Sequence, residues 1–254
     1  MNYYPGHRYV FMACLFRDLF FYIVQNNFNL MQIHQIELEF LKYSMIIAID
    51  EAGRGPWAGP VTVGGVLINA TDLVKISELE FLNDSKKISP KRREVLEKQL
   101  LELNFPHSIA NIEADIIDQI NILEATKLGV ITVIDELISQ NIEILNGNVG
   151  ILIDGKFSGL EKLMQEFAWQ ENVKSEIRTV IDGDALCPSI AAASILAKEH
   201  RDRLMLDLHA KYPEYAFDQH KGYGTKLHME RLATFGPSEI HRKSFKPIKK
   251  LIKV

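Results

Sequence analysis

An apolar run at residues 45–49 leads straight into two adjacent carboxylates, Asp50 and Glu51, and then into Gly53, Arg54 and Gly55. Neighbouring carboxylates at the end of a buried strand repel each other and resist desolvation unless a cation or a proton is shared between them. Glycines directly after them let the main chain approach a ligand closely. Acid pair, then Gly-Arg-Gly, points to a divalent metal beside a phosphate. A second apolar run, residues 149–153, also ends in acid and glycine, Asp154-Gly155, and Asp184 follows a third in Asp182-Gly183-Asp184. Ligands of open α/β sheets gather at strand ends, so acids far apart in the chain can converge there. Three or four carboxylates without histidine or cysteine form a hard oxygen site, suited to Mg2+ or Mn2+ and poorly to zinc. Such a cluster can hold two cations ~4 Å apart, one activating water and one stabilising the departing oxygen of a phosphodiester. The same cluster also serves a phosphatase or a kinase-like transferase, and any one Asp-Gly alone is an ordinary turn pair.

A second group of residues narrows the substrate. Gly53-Arg54-Gly55 and the run Gln219-His220-Lys221-Gly222-Tyr223-Gly224-Thr225 both set exposed main chain among glycines. Glycine amides and carbonyls reach a sugar hydroxyl that a side chain would shield, and the 2′-hydroxyl is what separates RNA from DNA. Tyr223 between glycines is a ring that can stack on a sugar or base, or pack on its own loop. Lys86, Lys221, Lys226, Arg242 and Lys243 are candidate phosphate contacts; the plain alternative for each is a solvated surface charge. His220, His228 and His241 read as structural or hydrogen-bonded groups rather than catalytic ones.

The elements that must position these residues alternate along the chain. Residues 46–49, 61–69, 105–112, 149–153 and 177–181 are rich in Ile and Val and read as strands. Ser89 followed by Pro90 starts a helix as N-cap and first-turn proline. Asn121 with Glu124 resembles a capping pair opening a long helix to about residue 138. Residues 160–169 read as a helix, and 189–210 as another whose small start, Ala191-Ala192-Ala193-Ser194, allows close packing. The fold class is α/β, with one catalytic domain at residues 45–254 and a small helical C-terminal portion.

Composition sets the class. The net charge of −4 does not advertise a nucleic-acid binder, but residues 196–254 hold thirteen Lys/Arg against seven Asp/Glu. A basic C-terminal face beside an acidic site suits a metal-dependent enzyme acting on a polyanion. Two cysteines, Cys14 and Cys187, without a Cys-x-x-Cys spacing, argue against disulfide or structural-zinc frameworks and for a reducing, cytoplasmic setting. Residues 1–44 differ from the rest: their apolar stretches are broken by Arg17 and Asp18, too short for a membrane span and lacking a signal-peptide cleavage site. They read as an extension upstream of a start at Met45.

These blocks resemble one family, the type 2 ribonucleases H (ribonuclease HII). The resemblance covers residues 46–250 and rests on the segments 49–56, 58–60, 83–87, 121–126, 153–155, 188–198, 220–225, 236–238 and 241–245. It implies a ribonuclease H-like mixed sheet flanked by helices. It also implies metal-dependent endonucleolytic cleavage of RNA in RNA–DNA hybrids and at single ribonucleotides in DNA, leaving 5′-phosphate and 3′-hydroxyl ends. By matching position Asp50, Glu51, Asp154 and Asp184 are its acids, Gly53, Arg54 and Gly55 its ribose-reading loop, and Tyr223 its sugar-stacking ring. Two Mn2+ or Mg2+ ions and a monomeric protein are expected.

Three departures stand against the family pattern. Asp182 replaces a usual lysine and puts a negative charge beside the metal, which makes Asp184 the least secure acid. The segment between Asp154 and Asp184 is longer, with 160–169 as an inserted helix, and Trp57 makes a bulkier rim than the usual small aliphatic. Gly53→Val is expected to cost RNA discrimination more than folding. A proofreading-type exonuclease and a catalytically silent hybrid-binding protein are the rival readings.

Overall fold

A computed structural model describes residues 33–80, 82, 88–142, 147–160, 162 and 173–252. Five strands form one sheet: β1 (Ile46–Ala52), β2 (Val61–Ile68), β3 (His107–Ile112), β4 (Asn148–Asp154) and β5 (Lys174–Val180), in the order β3-β2-β1-β4-β5. β2 runs antiparallel to both β1 and β3, while β4 is parallel to β1 and β5 to β4. Among the described residues the α-helices are α1 (Gln35–Phe40), α2 (Ala70–Ser77), α3 (Pro90–Glu102), α4 (Ala114–Gln140), α5 (Gly183–Leu186), α6 (Pro188–Lys211), α7 (Phe217–His220), α8 (Lys226–Phe235) and α9 (Lys246–Ile252).

The central strand shows how the sheet is covered. Successive side chains of a strand point to opposite faces, and β1 is apolar on both. Ile46 and Ala48 pack with Ile190, Ala191 and Ile195 of α6, and Ile47 and Ile49 with Val130, Ile134 and Leu137 of α4. At Gly64 of β2 a Cβ would lie 2.8 Å from the Ala193 carbonyl oxygen, so the alanine-rich start of α6 approaches the sheet as closely as main chain allows. α7, α8 and α9 close a separate small core around Met205, Phe217, Leu232 and Ile248, the expected helical C-terminal portion.

The elements differ from their sequence outlines in instructive ways. β1 continues through both acids to Ala52 instead of stopping at residue 49, because Asp50 and Glu51 pair across to Gly64 and Val63. β2 ends at Ile68, since Asn69 accepts from Thr71 and Asp72 N–H and caps α2, a helix not foreseen. α4 begins before Asn121, which breaks it with φ 69° and then caps its second part by accepting from Leu123 and Glu124 N–H. β5 begins earlier, at Lys174, and leaves Ile181 outside. The helix expected at 160–169 lies almost wholly outside the described residues.

Residues 33–44, set apart on sequence grounds, pack against this body. His34 and Glu37 form a capping box at α1. Phe40 is fully buried over Gly150 of β4, where a Cβ would come within 2.5 Å of its ring. Glu37, also fully buried, accepts from Ser189 N–H and hydroxyl, and desolvation raises its carboxyl to about 7.

Candidate active site

The register of β1 and β4 builds the site. Ile49 pairs with Ile153 in the parallel ladder, so the next residues, Asp50 within β1 and Asp154 at the end of β4, stand side by side on adjacent strands. By the period of two, both belong to the face that carries Ala48 and Leu152, the face covered by α6. There Asp50 accepts a hydrogen bond from Ser194 of α6 and another from Glu51 N–H at 2.6 Å. Asp154 accepts from Gly183 N–H at 2.6 Å.

A cavity of about 310 Å³ opens at this point, lined by Asp50, Glu51, Ala52, Gly53, Arg93, Asp154, Ser194, Lys198 and Tyr223. Asp50 is 4% exposed. Desolvation first, then the charges of Glu51 and Asp154, hold its carboxyl well above the usual carboxylate range. A buried acid crowded by two like charges is a place where a cation relieves the electrostatics. Among the described residues no group of three His, Cys, Asp or Glu side chains forms a ready-made ion cage. The donors gathered here are carboxylate oxygens, the chemistry that hard divalent cations accept.

Asp184 is 3% exposed, in the first turn of α5 beside the Gly183 amide that binds Asp154, but it is not on the cavity wall. Asp182 is exposed, in a left-handed conformation that aspartate tolerates, and it too is off the wall. The glycine loop and the tyrosine turn meet: Trp57 N–H donates to the Gly222 carbonyl at 2.8 Å, and a Cβ on Gly55 would sit 3.7 Å from the Tyr223 ring. Tyr223 is 44% exposed and lines the same cavity as the acids. Arg54 is exposed and pairs with Glu51 at 3.2 Å. Trp57 is only partly a rim residue; its ring packs over Gly224, where a Cβ would collide at 2.0 Å.

Among the expected phosphate contacts, Arg242 is corrected. It is fully buried and donates to the carbonyls of Gly53, Arg54 and Gly59, so it is internal scaffolding. Lys221 caps α7 and donates to the Asp218 carbonyl, away from the cavity wall. Lys226 and Lys243 are exposed, and Lys86 lies outside the described residues. The Gly53→Val expectation is also overturned: a Cβ there would lie 2.0 Å from Arg201 Nε on a backbone with φ +92°, so folding is affected directly.

Three polar cavity residues were missed: Arg93, Ser194 and Lys198. Arg93 pairs with Glu199 at 2.7 Å and with Asp202, and Lys198 also binds Asp202; burial lowers the Lys198 ammonium. The available signal was spacing: Ser194 and Lys198 stand four residues apart on one helix face. Arg93 lay unmarked within the charged run 91–94.

The histidines are structural, as expected. Ser238 N–H donates to His241 Nδ1, so the His241 proton is on Nε2 and donates to His228 Nε2, 3.0 Å away. His228 Nδ1–H then donates to the Tyr223 carbonyl at 3.0 Å. Gly222 N–H donates to His220 Nδ1, leaving His220 Nε2–H for the Tyr215 carbonyl. Burial is the main reason His228 falls to about 4 and His241 to about 3, so both are neutral at pH 7.

The ribonuclease HII family description matches residues 47–248, essentially the whole sheet and its helices. The chain belongs to the ribonuclease HII family. It is 45% identical over 219 residues to the ribonuclease HII of Chlamydia pneumoniae, covering 85% of this chain and 89% of that protein. The ribonuclease H2 of Pyrococcus horikoshii shares the fold, with a TM-score of 0.65 at 23% identity over 82% of this chain and 96% of that one. The ribonuclease HII in the PCNA:RNase HII complex of Archaeoglobus fulgidus gives a TM-score of 0.59 at 25% identity, covering 80% of this chain and 95% of that one. As a member of this family the chain is a ribonuclease H, a hydrolytic endonuclease of RNA–DNA hybrids.

Proposed function

We propose that this ribonuclease H also incises duplex DNA at single embedded ribonucleotides, using two divalent ions held at Asp50, Glu51 and Asp154, with Asp184 completing the set. The observation that supports this most is the convergence of Asp50 and Asp154, on neighbouring parallel strands, with Gly53 and Tyr223 around one cavity. Mg2+ or Mn2+ bound there would supply an activated water and offset charge on the departing oxygen. Tyr223 stacks on the sugar at the RNA–DNA junction while main chain at residues 53–55 meets its 2′ oxygen. Arg93 and Lys198 line the same cavity as the acids, each ion-paired to Glu199 or Asp202, and are the cations placed to meet a phosphate there. Ser194 keeps the Asp50 carboxyl oriented. The products carry 5′-phosphate and 3′-hydroxyl ends, and the enzyme acts as a cytoplasmic monomer.

Incubation of a duplex carrying one internal ribonucleotide tests the reading. Incision at the ribonucleotide with Mg2+ or Mn2+, none with chelator and none on the all-DNA duplex, is expected. Digestion of the all-DNA duplex from its ends supports an exonuclease, and binding without turnover supports a silent hybrid binder.

A further inference from the structure

Arg201 and Arg242 are both buried, at 1% and 0% exposure, side by side behind the glycine loop. Burying two guanidinium cations together is costly, and desolvation followed by the neighbouring Arg201 charge lowers Arg242 to about 9. Every hydrogen bond the two make among the described residues goes to a main-chain carbonyl. Arg242 donates to Gly53, Arg54 and Gly59 at 2.6, 2.9 and 2.9 Å. Arg201 donates to Pro60, Lys221 and Ala58 at 3.0, 3.1 and 3.3 Å. One cationic core thus gathers carbonyls from the glycine loop and from the turn that carries Tyr223.

The peptide plane turns this into a statement about recognition. In a trans peptide the C=O of one residue and the N–H of the next point in opposite directions. Drawing the Gly53 and Arg54 carbonyls inward onto Arg242 therefore turns the amides of Arg54 and Gly55 outward. Both residues are exposed, and among the described residues neither amide donates to another main-chain group. We propose that Arg242 and Arg201 are positioning residues for ribose discrimination, fixing the outward amides of residues 54 and 55 and their placement against Tyr223. This rests on the reading of residues 53–55 and Tyr223 as the sugar-reading surface.

The test compares two duplexes of one sequence, one with a single internal ribonucleotide and one all-DNA, by equilibrium binding without divalent metal and by kcat and KM with it. Arg242→Lys, which keeps the charge but loses the fork, should shrink the binding preference for the ribonucleotide duplex at least ~tenfold, because charge-assisted hydrogen bonds carry that much. KM should rise, while the Mg2+ concentration for half-maximal activity stays put. Arg201→Lys should act in the same direction. Leu137→Ala, a core truncation on the opposite face of the sheet, controls for stability alone and should leave the preference intact. Unchanged preference and KM in a folded Arg242→Lys protein overturns the proposal, as does an equal effect of Leu137→Ala. Where the arginine variants do not fold, Asp118→Ala decides. Asp118 accepts from Lys243 and Ser244 N–H at 2.8 and 2.7 Å and anchors the chain next to Arg242 from the surface. A weakened preference supports the proposal and an unchanged one overturns it. A wild-type protein with no ribonucleotide preference overturns the functional reading as well; preference retained in every variant overturns only this one.

Discussion

Asp50 carries a buried carboxyl beside Glu51 and Asp154, and neutralising it separates activity from stability. Ion-assisted stabilisation of a transition state is worth several kcal/mol, so Asp50→Asn should lower kcat about a thousandfold. Hybrid binding should persist, since Tyr223 and the glycine loop are untouched. Without metal, the thermal midpoint should stay level or rise, because a mutually repelling charge has been removed. Calorimetry beside a cleavage assay checks both; an active variant removes Asp50 from the chemistry. The glycines separate similarly. Gly55→Ala places its methyl in ordinary contact with the Tyr223 ring and should fold normally while losing ribonucleotide preference, whereas Gly53→Val should lose folding too. Circular dichroism with the two-duplex binding assay reads the contrast. A Gly55→Ala protein with full preference would place the sugar elsewhere.

At the scale of elements, the turn carrying Tyr223 depends on neutral histidines. Their folded-state values lie below the ordinary 6.5, so the unfolded chain binds protons first as pH falls. The stability they confer is complete above about 6.5 and is lost as pH falls toward about 4 and then 3, an order of a few kcal/mol by linkage. Hydrogen-exchange protection at residues 220–225, taken relative to the intrinsic rate at each pH, should fall across that window; protection unchanged down to pH 4 would mean the relay does not hold the turn. Local exchange is the right readout because Glu37, raised to about 7, acts with the opposite sign in a different part of the molecule. The strands holding the acids were legible because β1 and β4 are covered on both faces and so are apolar at nearly every position before the acid. The arginine core was not, because Arg201 and Arg242 sit in a basic C-terminal stretch where the ordinary expectation is solvent. Only tertiary packing shows that they reach main-chain carbonyls instead. Helix α2 was hidden for a related reason: Asn69 read as the last strand residue, although its side chain caps the first turn of that helix.

For the molecule as a whole, the ends of the domain matter most. Phe40 and Leu41 are core residues contributed from before Met45. Losing a buried Phe costs ~3–5 kcal/mol, which for a chain of this size is a drop of about 10 °C. A chain beginning at Met45 should therefore melt at least that far below one that includes residues 33–44, as differential scanning calorimetry would show. Equal midpoints would mean α1 adds little to the body. Charge is also distributed over the whole chain: the acids gather at one cavity while residues 196–254 carry the basic surplus. Crystals grown with Mn2+ and a duplex bearing one ribonucleotide, analysed by anomalous scattering, address the central point. Two peaks ~4 Å apart among Asp50, Glu51 and Asp154 are expected. An ion-free cavity with the duplex bound, or peaks only elsewhere, would contradict the assignment of these acids.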